Sequence, residues 1–161
     1  ENLSYKTGNS WCYGGAESNC KKYSRLYDWG TAVKVCPSGW RLPDTAGWNR
    51  LMAAVGGVRK IDDEDREAYY DVAGKKLKSK TGWNEGGNGT DEFGFSALPG
   101  GYRNDSGGSF DFVGYSGYWW SATEYGNGNA YSRGMDYDGG GVYEYDSDKS
   151  NGFSGRCVAQ D

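Results

Sequence analysis

The ionisable side chains of this 161-residue sequence offer few routes to catalysis. The chain contains no histidine, so Ser-His-Asp and Cys-His arrangements and histidine-based metal sites are impossible. Two pairs of carboxylates, Asp136 with Asp138 and Asp146 with Asp148, could serve a glycosidase, which needs two acids at a suitable distance. Both pairs lie among Tyr, Gly and Ser residues, an environment too wet to provide reliably the raised pKa that a catalytic acid needs. We therefore predict that the protein is not an enzyme.

The second acidic pair also resembles the start of a calcium loop. Asp146, Asp148 and Ser150 occupy alternate positions, but Gly152 comes one place late and no Glu follows at the usual distance. The Glu-Pro-Asn and Gln-Pro-Asp motifs of calcium-dependent lectins are absent from the sequence. We predict solvated acids, with no metal ion and no cofactor.

The four cysteines could form disulfides in three ways. We favour Cys12 with Cys20, which would close a local loop, and Cys36 with Cys157, which would tie the first predicted helix to the last strand. An even number of cysteines in a small Gly-rich chain indicates an oxidising compartment, with a cytosolic location as the alternative.

The segment from Tyr125 to Asn151 has the composition of an antibody paratope. Of its 27 residues, 21 are Tyr, Gly, Asn, Ser or Asp. Tyr supplies rigid amphipathic contact area, and the small polar residues supply adaptable hydrogen bonds. Five tyrosines flanked by so many glycines cannot all be buried, and exposed clusters of Tyr mark binding surfaces. The predicted ligand-binding residues are Tyr125, Asn127, Asn129, Tyr131, Ser132, Asp136, Tyr137, Asp138, Tyr143, Tyr145, Asp146 and Asp148.

The exceptions in this segment predict two strands. Arg133 and Met135 share one side of an extended chain, as do Val142 and Glu144, and the turn between the strands would span Asp138 to Gly141. The five common residue types are also those reached from the Asn codon AAC by changing only its adenines. This bias favours a stretch that is diversified at adenines.

Charge and hydropathy exclude two classes of partner. The net charge of −4 argues against nucleic acid, which requires a basic surface. No run of about 18 apolar residues is present, so we predict no membrane insertion. The 28 glycines and the aromatic content of 16% predict an aromatic interior with long loops rather than a helix bundle.

The hydrophobic pattern predicts an α+β domain. Asp28 would cap a helix containing Trp29, Val33 and Cys36, and Asp44 would cap a helix with Trp48, Leu51, Met52 and Val55 on its inner face. Short strand and turn are predicted for residues 1–27, and a solvated helix or loop for residues 61–80, with a lysine-based binding patch as the alternative. Short strands linked by Gly-rich loops are predicted between Gly82 and Gly117. A core strand would begin at Trp119, and residues 152–158 would form the closing strand. We expect Trp29, Trp40, Trp48, Trp119 and Trp120 to lie in the core.

Several blocks of the sequence resemble the Fibrobacter succinogenes major paralogous domain family. Residues 39–43 (GWRLP), with Trp48 and Leu51, resemble the two-helix segment of C-type-lectin-like folds, especially the formylglycine-generating-enzyme branch. The more specific family blocks run nearly end to end: residues 1–5 (ENLSY), 11–13 (WCY), 25–27 (RLY), 36–43 (CPSGWRLP), 73–78 (AGKKLK), 94–101 (GFSALPGG), 118–123 (YWWSAT) and 152–158 (GFSGRCV).

This resemblance implies a single secreted or cell-surface domain over residues 1–161, bacterial or phage-encoded. The implied fold is C-type-lectin-like, with two helices packed on short antiparallel strands. Family members usually carry an extra strand before the block at Glu1, and a Val where Gly155 stands. Lectin-fold proteins are the usual targets of diversity-generating retroelements, so residues 119–157 are expected to form a variable ligand-binding region.

Three functional hypotheses follow. The first is a variable adhesin or receptor that binds a protein or a glycan, in some settings at a pilus tip or within a larger surface protein. The second is a fixed carbohydrate-binding module in which aromatic side chains stack on a polysaccharide. The third is a structural pilus or surface subunit that has no ligand.

Overall fold

The computed structural model describes residues 1–62, 64 and 67–160. Within these residues the chain is an α+β protein with four short α-helices, which are α1 (Glu17–Tyr23), α2 (Trp29–Ala32), α3 (Thr45–Ala54) and α4 (Ala73–Leu77). The described strands are β1 (Ser10–Trp11), β2 (Leu26–Tyr27), β3 (Trp40–Arg41), β4 (Arg59–Ile61), β5 (Ala68–Tyr70), β6 (Gly100–Arg103), β7 (Phe110–Val113), β8 (Ser116–Tyr125), β9 (Asn129–Asp136), β10 (Val142–Asp148), β11 (Phe153–Ser154) and β12 (Val158–Ala159). None of the helices in the described chain has the length and apolarity needed to cross a membrane.

The two longest strands, β8 and β9, lie at the centre of a mixed sheet. The strand order is β1-β2-β11-β8-β9-β10-β5-β4, and β6 pairs with both β7 and β8. Strands β8, β9 and β10 form an antiparallel meander, whereas β11 and β6 pair with β8 in parallel. The short strands β3 and β12 form a separate antiparallel ribbon. We expected antiparallel strands, but the sheet is mixed because it also contains the parallel pairs of β11 and β6 with β8.

Two aromatic clusters form the core, and β8 contributes to both. Successive residues of a strand point to opposite faces of a sheet, so Trp119 and Trp120 enter different clusters. Trp119 packs with Trp48, Met52, Met135 and other residues beneath α3 and α4. Trp120 packs with a second group, which consists of Tyr27, Ala32, Leu42, Ala130 and Phe153.

Both predicted helix starts are confirmed, but α2 ends at Ala32 and does not extend to Cys36 as predicted. The Asp28 carboxylate accepts the amide of Thr31 at 2.8 Å, and the Asp44 carboxylate accepts the amide of Gly47 at 2.7 Å. Each bond satisfies an amide at a helix N-terminus that has no partner inside the helix. Trp48 and Met52 on α3 are 2% and 0% exposed, so the inner face of this helix lies where the spacing of its apolar residues placed it.

Both favoured disulfides are present, Cys12 with Cys20 and Cys36 with Cys157. The first closes residues 12–20, which include the first turn of α1, a helix that was not predicted. Its start has no side-chain cap, and only Tyr23 of its residues is buried, so it lacks both of the usual helix signals. The second disulfide joins the segment after α2 to the C-terminal segment.

Other expectations are corrected by the structure. The segment predicted as a solvated helix or loop, residues 61–80, instead begins in the β4–β5 hairpin, where residues 59–61 pair with residues 68–70, and its basic half contains α4. The acidic residues Asp63 and Asp65 lie outside the described residues. The closing strand is split into β11 and β12, with Cys157 between them. Trp40 is 48% exposed because the β3–β12 ribbon lies at the surface.

Candidate functional site

The β9–β10 hairpin has an inner side made of the residues that depart from the Tyr/Gly/Asn/Ser/Asp composition. Arg133, Met135 and Val142 are 0% exposed, as is Ala130 on the opposite face of β9. Glu144 lies opposite Arg133 in the ladder, as the two-residue period predicted. The predicted hairpin is therefore confirmed, and its turn spans residues 137–141.

A buried polar cluster ties this inner side to α3. The Arg133 guanidinium contacts Glu144 Oε2 at 2.6 Å and donates to Asn49 Oδ1 at 2.8 Å. Burial lowers the pKa of Arg133, and the Glu144 carboxylate opposes that shift. Arg59 also lies 3.8 Å from Glu144, so the carboxylate is shared between two guanidinium groups. A buried charge needs such partners to be tolerated.

A lysine ammonium holds each turn of the meander. Lys78 Nζ donates to the carbonyls of Asp136 at 2.9 Å and Gly139 at 2.8 Å, and it lies 4.9 Å from the centre of the Trp83 ring. Lys149 Nζ similarly bonds Glu124 and the carbonyls of residues 126 and 127, and it lies 4.7 Å from the Trp29 ring. Each turn is therefore held by its own lysine, and each lysine also makes a cation–π contact with a tryptophan ring.

On one face of the sheet the rings form a continuous row, which we call the aromatic strip. It consists of Phe112, Tyr102, Tyr118, Tyr145, Tyr143 and Tyr69, and the centroids of neighbouring rings are 5.4–6.2 Å apart. The row crosses β7, β6, β8, β10 and β5. Its five tyrosines are half-buried, and Phe112 is 56% exposed. The strip is therefore a surface feature that continues outward from the second core cluster.

Gly134 lies beneath the middle of the aromatic strip. A Cβ atom at this position would be 2.6 Å from Tyr145 Cε2 and 3.2 Å from Tyr118 Cε1. The absence of a side chain on β9 thus lets two rings from the neighbouring strands lean together over its backbone. In this way a glycine in the Tyr-rich segment shapes the surface although it exposes no side chain.

Acidic groups set the electrostatics of the aromatic strip. Burial raises the pKa of Tyr118 to about 12, and the Asp136 charge adds to that shift. Burial and the Asp136 charge likewise raise the pKa values of Tyr145 and Tyr143. Asp136 is itself half-buried, and its pKa is raised by burial and by Asp138 although the Ser116 hydroxyl bonds it at 2.6 Å. This corrects the expectation that water around Asp136 would prevent such a rise. Asp136 and Asp138 therefore place negative charge beside the strip, and the buried Lys78 ammonium opposes part of it.

A second patch lies at the far end of the meander and includes the other predicted residues. Tyr125 and Tyr131 make an edge-to-face contact with their ring centroids 5.3 Å apart, and Asn129 donates to Asp146 at 3.3 Å. Tyr125 is 51% exposed. In the β9–β10 ladder Tyr131 lies opposite Asp146 and Asn129 opposite Asp148, so these side chains leave the sheet on the face opposite Tyr143 and Tyr145.

The predicted residues therefore do not form one site. Tyr143, Tyr145 and Asp136 belong with the aromatic strip, and Asp138 is exposed on the adjacent turn. Asn127 lies exposed in the β8–β9 turn beside the second patch. Tyr137 packs partly against the first core cluster. Ser132 is a correction, because it is 0% exposed and its hydroxyl bonds that of Ser147 at 2.9 Å inside the sheet.

Four members of the aromatic strip were missed because they lie outside the Tyr-rich segment in sequence. Tyr69, Tyr102, Phe112 and Tyr118 come from β5, β6, β7 and β8 and meet the hairpin only through strand pairing. The alternation in the YWW sequence of residues 118–120 was a usable signal. With Trp119 facing one core cluster, Tyr118 must point to the other face.

Among the described residues, one group has the spacing of metal ligands, and it consists of Cys12, Glu17 and Cys20. Both of its sulfurs are joined in a disulfide, so neither is available as a thiolate ligand. The carboxylates of the calcium-like sequence are used locally, since Asp148 accepts the amide of Ser150 at 2.8 Å and Asp146 accepts from Asn129.

Comparison with known proteins identifies the family. No match was found among curated proteins or among solved structures. The model of one family, described as the Fibrobacter succinogenes major domain, matches residues 1–159. This match covers nearly the whole chain and agrees with the resemblance carried by the sequence blocks. The chain belongs to the Fibrobacter succinogenes major domain family.

Proposed function

We propose that this protein is an extracellular ligand-binding or adhesin domain with a C-type-lectin-like fold. Its binding surface would be the outer part of the β8–β10 meander, and a diversity-generating retroelement would rewrite that surface. The two disulfides are compatible with a secreted or surface location. The domain would bind a protein or glycan, either alone or as part of a pilus or larger surface protein, and would not catalyse a reaction.

One observation supports this proposal most strongly. Within residues 125–151, the exposed side chains and most of the buried side chains are of different residue types. All five tyrosines are at least partly exposed, whereas Ala130, Arg133, Met135 and Val142 are fully buried. The remaining two exceptions, Glu144 and Lys149, are held in ion pairs with Arg133 and Glu124. Most of the exposed side chains in this segment could therefore change without loss of the contacts that hold the hairpin in place.

Deep sequencing of the 3′ end of the gene across a population of producing cells or phage tests the proposal. We expect substitutions at adenine-derived codons between Tyr125 and Asn151, with the codons for Arg133, Met135 and Val142 constant. An invariant segment would exclude diversification and leave a conventional lectin or a structural subunit.

A fixed carbohydrate-binding module is the second candidate, and the aromatic strip is the observation that favours it. Aromatic rings in a row are suited to stacking on successive sugars of a polysaccharide. Replacing Tyr143 and Tyr145 by Ala should then abolish binding to that polysaccharide on a glycan array. Assembly should survive the same change under the adhesin and carbohydrate-binding roles, so a loss of assembly without any glycan binding would indicate a structural subunit.

A further inference from the structure

The local charge around the aromatic strip bears on the kind of ligand it would take, an inference that rests on the proposed binding function. Asp136 lies on the same face as Tyr118 and Tyr145, and its described contacts include the Ser116 hydroxyl but no ion pair within 4.0 Å. Asp138 is exposed on the adjoining turn, and the described residues give it no ion pair either.

Two of the lysines near the strip are already engaged, and a third, Lys75, is exposed beside Gly140 of the adjoining turn. Lys60, which lies opposite Tyr69 in the β4–β5 hairpin, contacts Asp71 at 2.6 Å. Lys78 is 3% exposed and donates to backbone carbonyls beneath the turn. Neither ammonium group forms an ion pair with Asp136 or Asp138 in the described part of the chain, although the Lys78 charge lowers the pKa of Asp136 against the larger effect of burial.

The tyrosine rings supply a second attraction for positive charge. The face of an aromatic ring is electronegative and attracts ammonium and guanidinium groups that lie within about 6 Å of its centroid. The chain already uses this contact internally, where Lys78 lies over Trp83 and Lys149 over Trp29. Along the strip, partly exposed tyrosine rings lie on the same surface as Asp136, a carboxylate with no ion pair among the described residues, and next to the turn that carries Asp138.

We propose that the aromatic strip, together with Asp136 and Asp138, binds a basic segment of a partner protein. Lysine or arginine side chains of that segment lie against the tyrosine rings while their charged ends pair with the two carboxylates. Charge complementarity selects this partner over a neutral polysaccharide, which would make no use of the carboxylates' charge. A nucleic acid or an anionic glycan would be repelled by them.

Isothermal titration of the whole domain at low ionic strength tests the proposal with three probes. The probes are a capped oligolysine peptide, the same peptide with every side chain acetylated, and a neutral cello-oligosaccharide. We expect the first to bind, with an affinity that falls as salt rises, and the other two not to bind. Oligosaccharide binding, or equal binding of the acetylated peptide, would overturn the proposal.

Matched variants distinguish the strip from the net charge of the domain. Asp136→Asn keeps the hydrogen-bonding shape but removes the charge, and it should weaken oligolysine binding about tenfold. Glu92→Gln removes the same charge from an exposed site outside the strip and should change the affinity less than about twofold. Equal effects of the two variants would show non-specific attraction and would contradict the proposal.

The ring at position 143 provides an independent check. Tyr143→Phe keeps the aromatic face and should retain oligolysine binding, whereas Tyr143→Leu keeps an apolar side chain without that face and should weaken binding several-fold. Binding that is unchanged in Tyr143→Leu would overturn the role of the rings. Near-ultraviolet circular dichroism and the unfolding midpoint establish that each variant is folded.

Failure of this inference can be separated from failure of the proposed function. If the 3′ end of the gene is diversified but the protein does not bind oligolysine, the variable-receptor function is supported and the basic partner is excluded. If the gene is invariant but the protein binds oligolysine through Asp136 and Tyr143, diversification is excluded and the basic partner is supported.

Discussion

Arg133 and Glu144 form an ion pair of 2.6 Å across the β9–β10 ladder, with the arginine side chain fully buried and the glutamate 15% exposed. Asn49 of α3 accepts a second bond from the same guanidinium. The pair therefore joins the hairpin that carries the predicted binding surface to the helix beneath it. Its geometry does not involve the outward tyrosines, so changes on the outer surface leave it intact.

Removal of one partner from this pair should strongly destabilise the fold. Glu144→Ala leaves the Arg133 charge buried, and we expect the free energy of unfolding to fall by about 3–5 kcal/mol. Glu124→Ala is the matched control, because it breaks an ion pair with Lys149 in which the glutamate is 60% exposed. The control should cost less than about 1 kcal/mol in urea denaturation. Similar losses in the two variants would contradict the structural role of Arg133.

The Lys78 ammonium should be needed to order the β9–β10 turn. Lys78→Met removes the donor for the carbonyls of Asp136 and Gly139, and we expect a loss of about 1–3 kcal/mol. Amide hydrogen exchange in residues 137–141 should accelerate in this variant. Lys80→Met, an equal change of charge at an exposed site, should alter stability by less than about 0.5 kcal/mol. Unchanged exchange in Lys78→Met would refute the anchoring role.

The folded state should lose stability in alkali through its tyrosines. Burial raises the pKa of Tyr118 from 10.0 to about 12, so the unfolded chain releases this proton at lower pH than the folded chain. The stabilisation is complete below pH 10.0 and is lost as pH rises through about 12. Urea denaturation between these pH values should show a shallower decline for Tyr118→Phe than for the unmodified protein. Identical slopes would show that Tyr118 titrates normally.

The two disulfides should differ in their contribution to stability. In the chain-entropy model, closing a loop stabilises the fold more as the loop lengthens, which gives about 2.5 kcal/mol for the short loop and about 5 kcal/mol for the long one. The sequence separations are 8 residues for Cys12–Cys20 and 121 for Cys36–Cys157. Replacing both cysteines of each pair by Ala, followed by thermal denaturation, checks this order. A larger loss from the Cys12–Cys20 pair would contradict it.

Local sequence patterns were sufficient for the elements whose signals are short-range. The caps at Asp28 and Asp44 and the inner face of α3 depend on residues within about two turns of helix, so their spacing alone predicts them. The same holds for the inner side of the β9–β10 hairpin, where a two-residue period places Arg133 with Met135. The α1 helix lacked such a signal and was missed.

The candidate site depended on pairing between distant strands. The sequence predicted that residues 125–151 form one Tyr-rich surface and that the family blocks form the scaffold around it. The tertiary structure divided that surface between two faces of the sheet and buried Ser132 within it. It also brought Tyr69 and Tyr118 to Tyr143 and Tyr145. The sequence by itself determined that Arg133 and Met135 share one side of the hairpin, as do Val142 and Glu144, because that follows from strand period. Only the fold decided which rings meet outside, because strand order is set by long-range packing.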